Sequence, residues 1–585
     1  MNVVFDIEAD GLKPTKIHCL VFYQVDDGEV IKFRPTELQQ AKEYFSKVNK
    51  LIGHNIINYD IPAVEKLMGI DLSGKKVVDT LVLSRLFNPT REGGHGLESW
   101  GYRLGYNKGE YGEQENAWDN FSEEMLEYCE RDVLLNYKVY NALRIESKGF
   151  AASSVVLEHK VYPIIEQQRK NGFLLDVEKA QGLVAHFNDE LMSITNEVQK
   201  VFKDKVEEET LYAVEKKSGG LSKTGKNKAG INRRLTKDEF NIISAKGYVV
   251  RKTVTPFNLG SRKQIGEYLI EFGWKPVKHT PTGQPIVDEA VLSRVKGIPE
   301  AQLIATYLML QKRLAQVSKW LTYVEDDDRV RGYVNANGTV TGRMTHSHPN
   351  MAQIPAPASP YGKECRSCWT VAPTHRLVGI DASGLELRVL AHYMNDKEYT
   401  NEILNGDIHT ANQKLAGLES RNQAKTFIYA LLYGAGDAKL GSVAGGGAAV
   451  GSRLRKSFFA NLPAFKSLAS SVQREAKANK VKSLDGRMLN VRSAHAALNT
   501  KLQGGGAVIM KQALVNFSQA LDKAGIFYYF VANVHDEWQI ECKEKDAHTV
   551  GKLGVKAIQD VTTQLNLNCP LDGEYNIGMN WAETH

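Results

Sequence analysis

Two apolar, strand-like runs in this chain end in carboxylates, and this limits the folds open to it. Asn2 to Ile7 reads as a buried strand, with Asp6 and Glu8 at its end. Side chains two apart on a strand face the same side, so the two acids are presented together. Leu377 to Ile380 is a second such run, with Asp381 following it. Converging carboxylates are costly to bury unless cations lie between them. The chain therefore needs sheets whose strand tips open onto sites that cations can reach.

The N-terminal acids have company. GHNIINYD places Asp60 at the start of a helix, and YCERD places Tyr128 and Asp132 four apart on one helix face. That helix is expected over Ser122 to Leu143, with Ser122 as N-cap and Glu123 and Glu124 in its first turn. Four convergent carboxylates can hold two divalent metals about 4 Å apart, a pair that activates water for in-line attack on a phosphodiester. Tyr128 is placed to orient that water. A lone D-x-E or Y-x-x-x-D is commonplace, but the ordered set is specific. It resembles the DEDDy 3′→5′ proofreading exonucleases. That likeness implies a ribonuclease-H-like domain with Asp6, Glu8, Asp60 and Asp132 as metal-site acids.

The C-terminal half carries a second constellation. Asp381 precedes a helix-like stretch, Leu385 to His392, that begins beside Glu386. Asn422 to Tyr433 also reads as a helix. Arg421, Lys425 and Tyr429 recur every four residues, drifting only about 40° per step. Two cations and an aromatic ring in one stripe suit a triphosphate with a base attached; alone, such a stripe is more often an ordinary surface helix. Phe527 to Val534 and Trp538 to Cys542 read as two strands joined by His535-Asp536-Glu537, which displays Asp536 at the hairpin tip, 155 residues beyond Asp381.

Together, D-x-S-x-x-E-L-R, R-x-x-x-K-x-x-x-Y-x-x-x-Y-G and V-H-D-E resemble motifs A, B and C of the family A DNA polymerases. TGRMTHSHPNMAQIP, GDIHT, LDGR and LNTKLQGGGA add to the likeness, which is greatest to replicative enzymes of T-seven-type phages. The resemblance implies that Asp381, Asp536 and the backbone carbonyl of Ala382 hold two Mg²⁺, with Mn²⁺ as a substitute. It gives Arg421, Lys425 and His409 the incoming phosphates, and Lys425 a role as general acid. Tyr429 stacks near the nucleotide sugar, Glu386 excludes ribonucleotides, and Tyr433 packs near the templating pair. Arg343, Gln503 and His535 lie near the primer terminus or minor groove. Glu537 is a secondary acid.

The expected architecture is α/β and α+β multidomain: a ribonuclease-H-like exonuclease followed by a right hand. The domains run 1–148 for the exonuclease and 149–330 for the thumb region. They continue with 331–393 for the first part of the palm, 394–500 for the fingers and 501–585 for the rest of the palm. The proofreading strand begins at residue 2, so an upstream 5′ nuclease domain is not expected. Charge fits this division. Residues 1–150 hold 18 Lys and Arg against 24 Asp and Glu, and the remainder hold 56 against 44. An acidic N-terminal part suits metal cations, and a basic body suits a polyanion.

The thumb departs from the phage pattern. T-seven-type enzymes bind host thioredoxin through an insertion there, whereas the corresponding region here, about 207–257, is shorter and different. Within it, Lys216 to Arg234 holds seven basic residues and no acid and reads as a flexible surface loop. Gly220 to Asn227 nearly spells a phosphate-binding P-loop, but Asn227 replaces the metal-binding hydroxyl and no buried strand precedes it. Six scattered cysteines make no disulfide framework, and Cys365-x-x-Cys368 lacks a second pair for zinc.

Primer-template DNA and dNTP are the expected partners, with host thioredoxin and a phage helicase-primase as candidates. No transmembrane run or signal peptide is read, and the expected location is the cytoplasm of an infected bacterium. The rival functions are an exonuclease with a DNA-binding body, a single-subunit RNA polymerase, and a non-enzymatic DNA clamp or packaging factor.

Overall fold

A computed structural model describes residues 1–585. The chain forms two compact units, one of Met1–Asp176 with Tyr323–His585 and the other of Val177–Thr322.

The first unit begins with five strands: β1 (Asn2–Ala9), β2 (Ile17–Gln24), β3 (Val30–Phe33), β4 (Lys50–Gly53) and β5 (Lys76–Asp79). Their order is β3-β2-β1-β4-β5, with β4 parallel to β1 and β5. Alternation along β1 divides its side chains between two cores. Val3, Phe5 and Ile7 pack with Phe45, Ala63 and Val64. Val4 points the other way, into a cluster with Met125, Cys129 and Val133. Those residues belong to helix α2 (Glu123–Glu146), and α1 (Asp60–Met68) precedes it. As expected, the Ser122 side chain caps α2 by accepting from the Met125 amide. Asp6 and Glu8 share the face of Val4, so the same alternation turns both acids toward α2.

Helix α3 (Ala152–Asn171) leads out of this layer and ends at Gly172. Here φ is +67°, and a Cβ would sit 3.0 Å from Arg331, a conformation and a space that suit glycine. A short strand, Phe173–Leu175, follows.

In the second unit, α4 (Val177–Gln199) and α6 (Pro299–Leu321) pack together. Between them lie β6 (Lys205–Tyr212), β7 (Thr224–Lys226), β8 (Asn232–Arg234), α5 (Lys237–Lys246) and β9 (Tyr248–Thr255), with strand order β9-β6-β7-β8. Within Lys216 to Arg234, Thr224–Lys226 and Asn232–Arg234 pair as strands while the rest runs through exposed turns, which corrects the expected loop at those two strands only. Its composition hid the reason. Leu211, Leu235, Ile243 and Val249 close a small core, Gly225 lies against Leu211 and Leu235, and the Asn227 side chain caps a turn at the Ile231 amide. Arg233 also pairs with Glu209 of β6.

The rest of the first unit is built on β10 (His375–Ala382), α7 (Leu385–Met394), α8 (Ile408–Ala416), α9 (Arg421–Leu432) and α10 (Ala497–Lys523). It closes with β11 (Tyr528–Val534), β12 (Glu537–Lys543), α11 (Ala547–Gln564) and β13 (Gly573–Gly578). The antiparallel sheet runs β11-β12-β10-β13. Val378 and Ile380 of β10 share one core with Val508 and Ile509 of α10 and Phe427 and Ile428 of α9. Three glycines in α10 weaken a helix interior by roughly 1 kcal/mol each relative to Ala. They permit close packing instead: a Cβ on Gly504 would collide with Leu489, and one on Gly505 would meet Val389 at 2.9 Å.

Candidate active sites

The first site forms where β1 meets α2. The Ile7 amide donates to Asp60 Oδ1 at 3.1 Å, which ties the start of α1 to the strand. Cys129 Sγ donates to the Asp6 backbone carbonyl at 3.5 Å. One turn further along α2 stands Asp132, 3 % exposed. Burial, then the Asp60 and Asp132 carboxylates, push the Asp6 carboxyl well above its ordinary range. Burial and Asp6 do the same to Glu8. Burial lifts Asp60 to about 7, although the Ile7 amide opposes it. Tyr128, half-buried, is pushed to about 12 by burial and by Asp132. All five predicted residues are thus brought together.

Two neighbours escaped the sequence reading. Cys129 completes a close group of donor atoms with Asp6 and Glu8. Lys108 lies in the segment before α2 and pairs with Asp132 Oδ2 at 2.9 Å. Neither stands at a motif spacing, so no local signal marks them. The group suits divalent cations: Glu8, Asp60 and Asp132 are buried and Asp6 is half-buried, the acids repel one another, and Asp132 Oδ1 is buried without a hydrogen-bond partner.

The second site forms at the end of β10. Cα pairing sets Asp381 opposite Glu537. The intervening turn places His535 at φ +57°, and the Asp536 carbonyl accepts from the Ala382 amide at 3.1 Å. Asp536 is thereby fixed beside the tip that carries Asp381. Burial first, then Asp536 and Glu537, raise the Asp381 pKa to about 7. Burial also raises Asp536, partly opposed by Arg343. This pair too suits cations. Glu537 is committed elsewhere: it accepts from Trp581 Nε1 and Gln539 Nε2 and pairs with His585.

The predicted stripe is real. Arg421 and Lys425 of α9 are exposed and Tyr429 is partly buried, while Ala424, Phe427, Ile428 and Leu431 bury the opposite face. Arg421 Nε donates to Asp407 Oδ2 at 2.6 Å. Asp407 also caps α8 through the His409 amide at 3.1 Å, and the His409 ring lies 6.3 Å from that of Tyr429. Glu386 Oε1 accepts from Tyr433 Oη at 2.5 Å and from Arg343 at 3.0 Å. Arg343, Gln503, His535 and Asp536 line one cleft of about 460 Å³, with Gly506 and Ala507 of α10 giving it a smooth wall.

Beneath this cleft is a charge cluster that the sequence did not reveal. Glu158 of α3 pairs with Arg487 and with Lys511, each at 2.6 Å. Arg487 also pairs with Asp485 at 2.7 Å. Burial would raise the Glu158 carboxyl, but Lys511 and Arg487 hold it below its ordinary range. Burial lowers Lys511 to about 8 despite Glu158. Asp485 and Arg487 are neighbours in sequence, but Glu158 and Lys511 are far from them and from each other along the chain, and only folding places them together.

The comparisons with known proteins agree with this arrangement. The family model described as "3'-5' exonuclease" matches residues 2–148, and that of "DNA polymerase family A" matches residues 229–583. The DNA-directed DNA polymerases of Enterobacteria phage T3 and Escherichia phage T7 are each 36% identical to this chain over 709 aligned positions, covering 100% of both chains. A solved structure of the POL domain of Pol1 from M. smegmatis, in complex with DNA primer-template and dNTP, shares the fold. Its TM-score is 0.75 at 18% identity, over 100% of this chain and 95% of that one. The two acid sites fall within the two matched segments, and this chain belongs to DNA polymerase family A as a DNA-directed DNA polymerase with an N-terminal 3′→5′ exonuclease domain.

Proposed function

We propose that this replicative polymerase adds dNTPs to a primer 3′-OH at Asp381 and Asp536, and edits the product at Asp6, Glu8, Asp60 and Asp132. The observation that carries the reading is the bond between the Asp536 carbonyl and the Ala382 amide, which supports a shared cation site for two acids 155 residues apart. Divalent metals serve both domains of this family, and Mg²⁺ is the proposed ion. Bound there, it would acidify the primer hydroxyl, neutralise phosphate charge and, at the editing site, activate water.

The remaining roles belong to the chain. Arg421, Lys425 and His409 receive the triphosphate, with Lys425 delivering a proton to the departing pyrophosphate. Tyr429 stacks near the sugar. Glu386, held by Tyr433 and Arg343, crowds the 2′ position against ribonucleotides, and Tyr433 packs near the templating pair. Arg343, Gln503 and His535 touch the primer terminus from the cleft wall. At the editing site, Tyr128 orients the attacking water.

The proposed division keeps residues 1–148 as exonuclease, 149–330 as thumb region, 331–393 and 501–585 as palm and 394–500 as fingers. The setting is the cytoplasm of an infected bacterium; no helix is long and apolar enough to cross a membrane. Primer extension by Asp536→Asn tests the main reading: loss of synthesis with DNA binding intact supports it, and retained synthesis refutes it.

The basic sheet of the second unit is proposed to lie over DNA phosphates. Deleting 216–234 would remove two strands, so the sharper variant replaces its seven cations by Gln. Shorter synthesis runs and a weaker salt dependence are expected on a long template. Adding host thioredoxin at two salt concentrations tests that partner, and a pull-down tests the helicase-primase.

A further inference from the structure

We propose that Lys108 is a positioning residue of the exonuclease site, one that commits the two oxygens of Asp132 to different partners. Lys108 Nζ takes Oδ2 at 2.9 Å. Oδ1 is left buried and without a hydrogen bond. An isolated carboxylate can offer either oxygen, or both, to a cation. Asp132 cannot, because a charge-assisted bond holds one of them. The acid is thereby turned so that its free oxygen is the one offered to a metal.

The lysine is itself held. Arg131 Nε donates to the Asn107 carbonyl at 2.6 Å, which pins the residue before it. Gly109, the residue after it, lies so near that a Cβ would be 3.3 Å from the Tyr128 ring. Lys108 Nζ stands 5.1 Å from that ring's centroid, within cation–π range. One ammonium thus sets both the acid and the tyrosine of α2 against the strand acids. An exposed ion pair would contribute little. Here the Asp132 side chain is 4% exposed and that of Lys108 29%, so water competes weakly for the bond.

This inference rests on Asp132 being a metal-site acid, and the experiment separates the two claims. Degradation of single-stranded DNA is measured on the full chain, with primer extension by the same preparation reporting that it is folded. Lys108→Ala is expected to lower the exonuclease kcat about 10- to 100-fold with little change in KM, the usual scale for a residue that orients a metal ligand. Lys108→Arg, which can still donate to Asp132, is expected to recover most of that loss. Mn²⁺ binding is read by electron paramagnetic resonance in a background carrying Asp381→Asn and Asp536→Asn, so that the remaining sites are counted. Lys108→Ala should keep its Mn²⁺ while losing rate. A rate within about twofold of the parent would overturn the proposal, as would absence of rescue by Arg or loss of Mn²⁺ in step with rate. If Asp132→Asn itself leaves degradation intact, the metal-site reading fails first and takes the inference with it.

Discussion

In the exonuclease site, four carboxylates from one strand and two helices share a buried space with the Lys108 ammonium. In the proposed polymerase site, Asp381 lies at the end of β10 and Asp536 in the turn between β11 and β12, and Arg421 and Lys425 stand on the exposed face of α9. On the proposed assignment of the two sites, the difference follows from what each reaction admits. Hydrolysis takes in a DNA end and water, so the acids can be crowded and partly neutralised from within. Polymerisation must also admit a triphosphate with its own charge, so cations wait on a surface that the nucleotide can reach. Crowding raises the carboxyl pKa values in both places, by burial first and mutual repulsion second.

The comparison breaks most sharply if the sites are not independent. Asp536→Asn should lower primer extension by about 1,000-fold or more while single-stranded DNA is still degraded. Asp6→Ala with Glu8→Ala should do the reverse. A substitution that silences both activities would show that the sites share machinery. Next, Lys425→Ala is expected to slow nucleotide incorporation at least about 100-fold, as loss of a general acid does, without touching degradation; single-turnover kinetics measure it. A smaller effect is expected at Glu386. Removing its side chain frees space beside the sugar, and Glu386→Ala should lower dNTP-over-rNTP selection by about 100-fold, the scale of a steric pocket contact. Competitive incorporation assays read this directly.

The smallest expected effect is on stability. His54 is half-buried and paired with Thr80 Oγ1 at 2.9 Å. Burial first, then Arg85, Lys108 and His95, push its pKa down to about 3. The unfolded chain takes that proton near pH 6.5. Stability is therefore lost as pH falls from about 6.5 toward 3, by about 2 kcal/mol at pH 5. Asp60, raised to about 7, has the opposite sign, since the folded state keeps its proton longer than the unfolded one. Melting temperatures from pH 7 to 5 should fall less steeply for His54→Gln than for the parent.

Much of this was legible in the residues. Alternation along Asn2–Ala9 put Asp6 and Glu8 on one face, four-residue spacing put Tyr128 with Asp132 and Arg421 with Lys425 and Tyr429, and hairpin patterning put Asp536 at a tip. Each is a local consequence of backbone periodicity, which the sequence carries directly. Lys216 to Arg234 misled in part: its cations and glycines speak of a loop, whereas Leu211, Leu235, Ile243 and Val249, spread over almost forty positions, close the core against which two short strands of it pair.

The sequence alone determined which residues share a strand face or a helix stripe, because those relations follow from fixed rises and turns per residue. Only the tertiary structure decided that Lys108 divides the oxygens of Asp132, that Glu537 turns away to Trp581 and His585, and that Glu158, Arg487 and Lys511 meet beneath the cleft. Such contacts join positions with no periodic relation. They arise because a buried charge must find a partner wherever the packed chain happens to bring one.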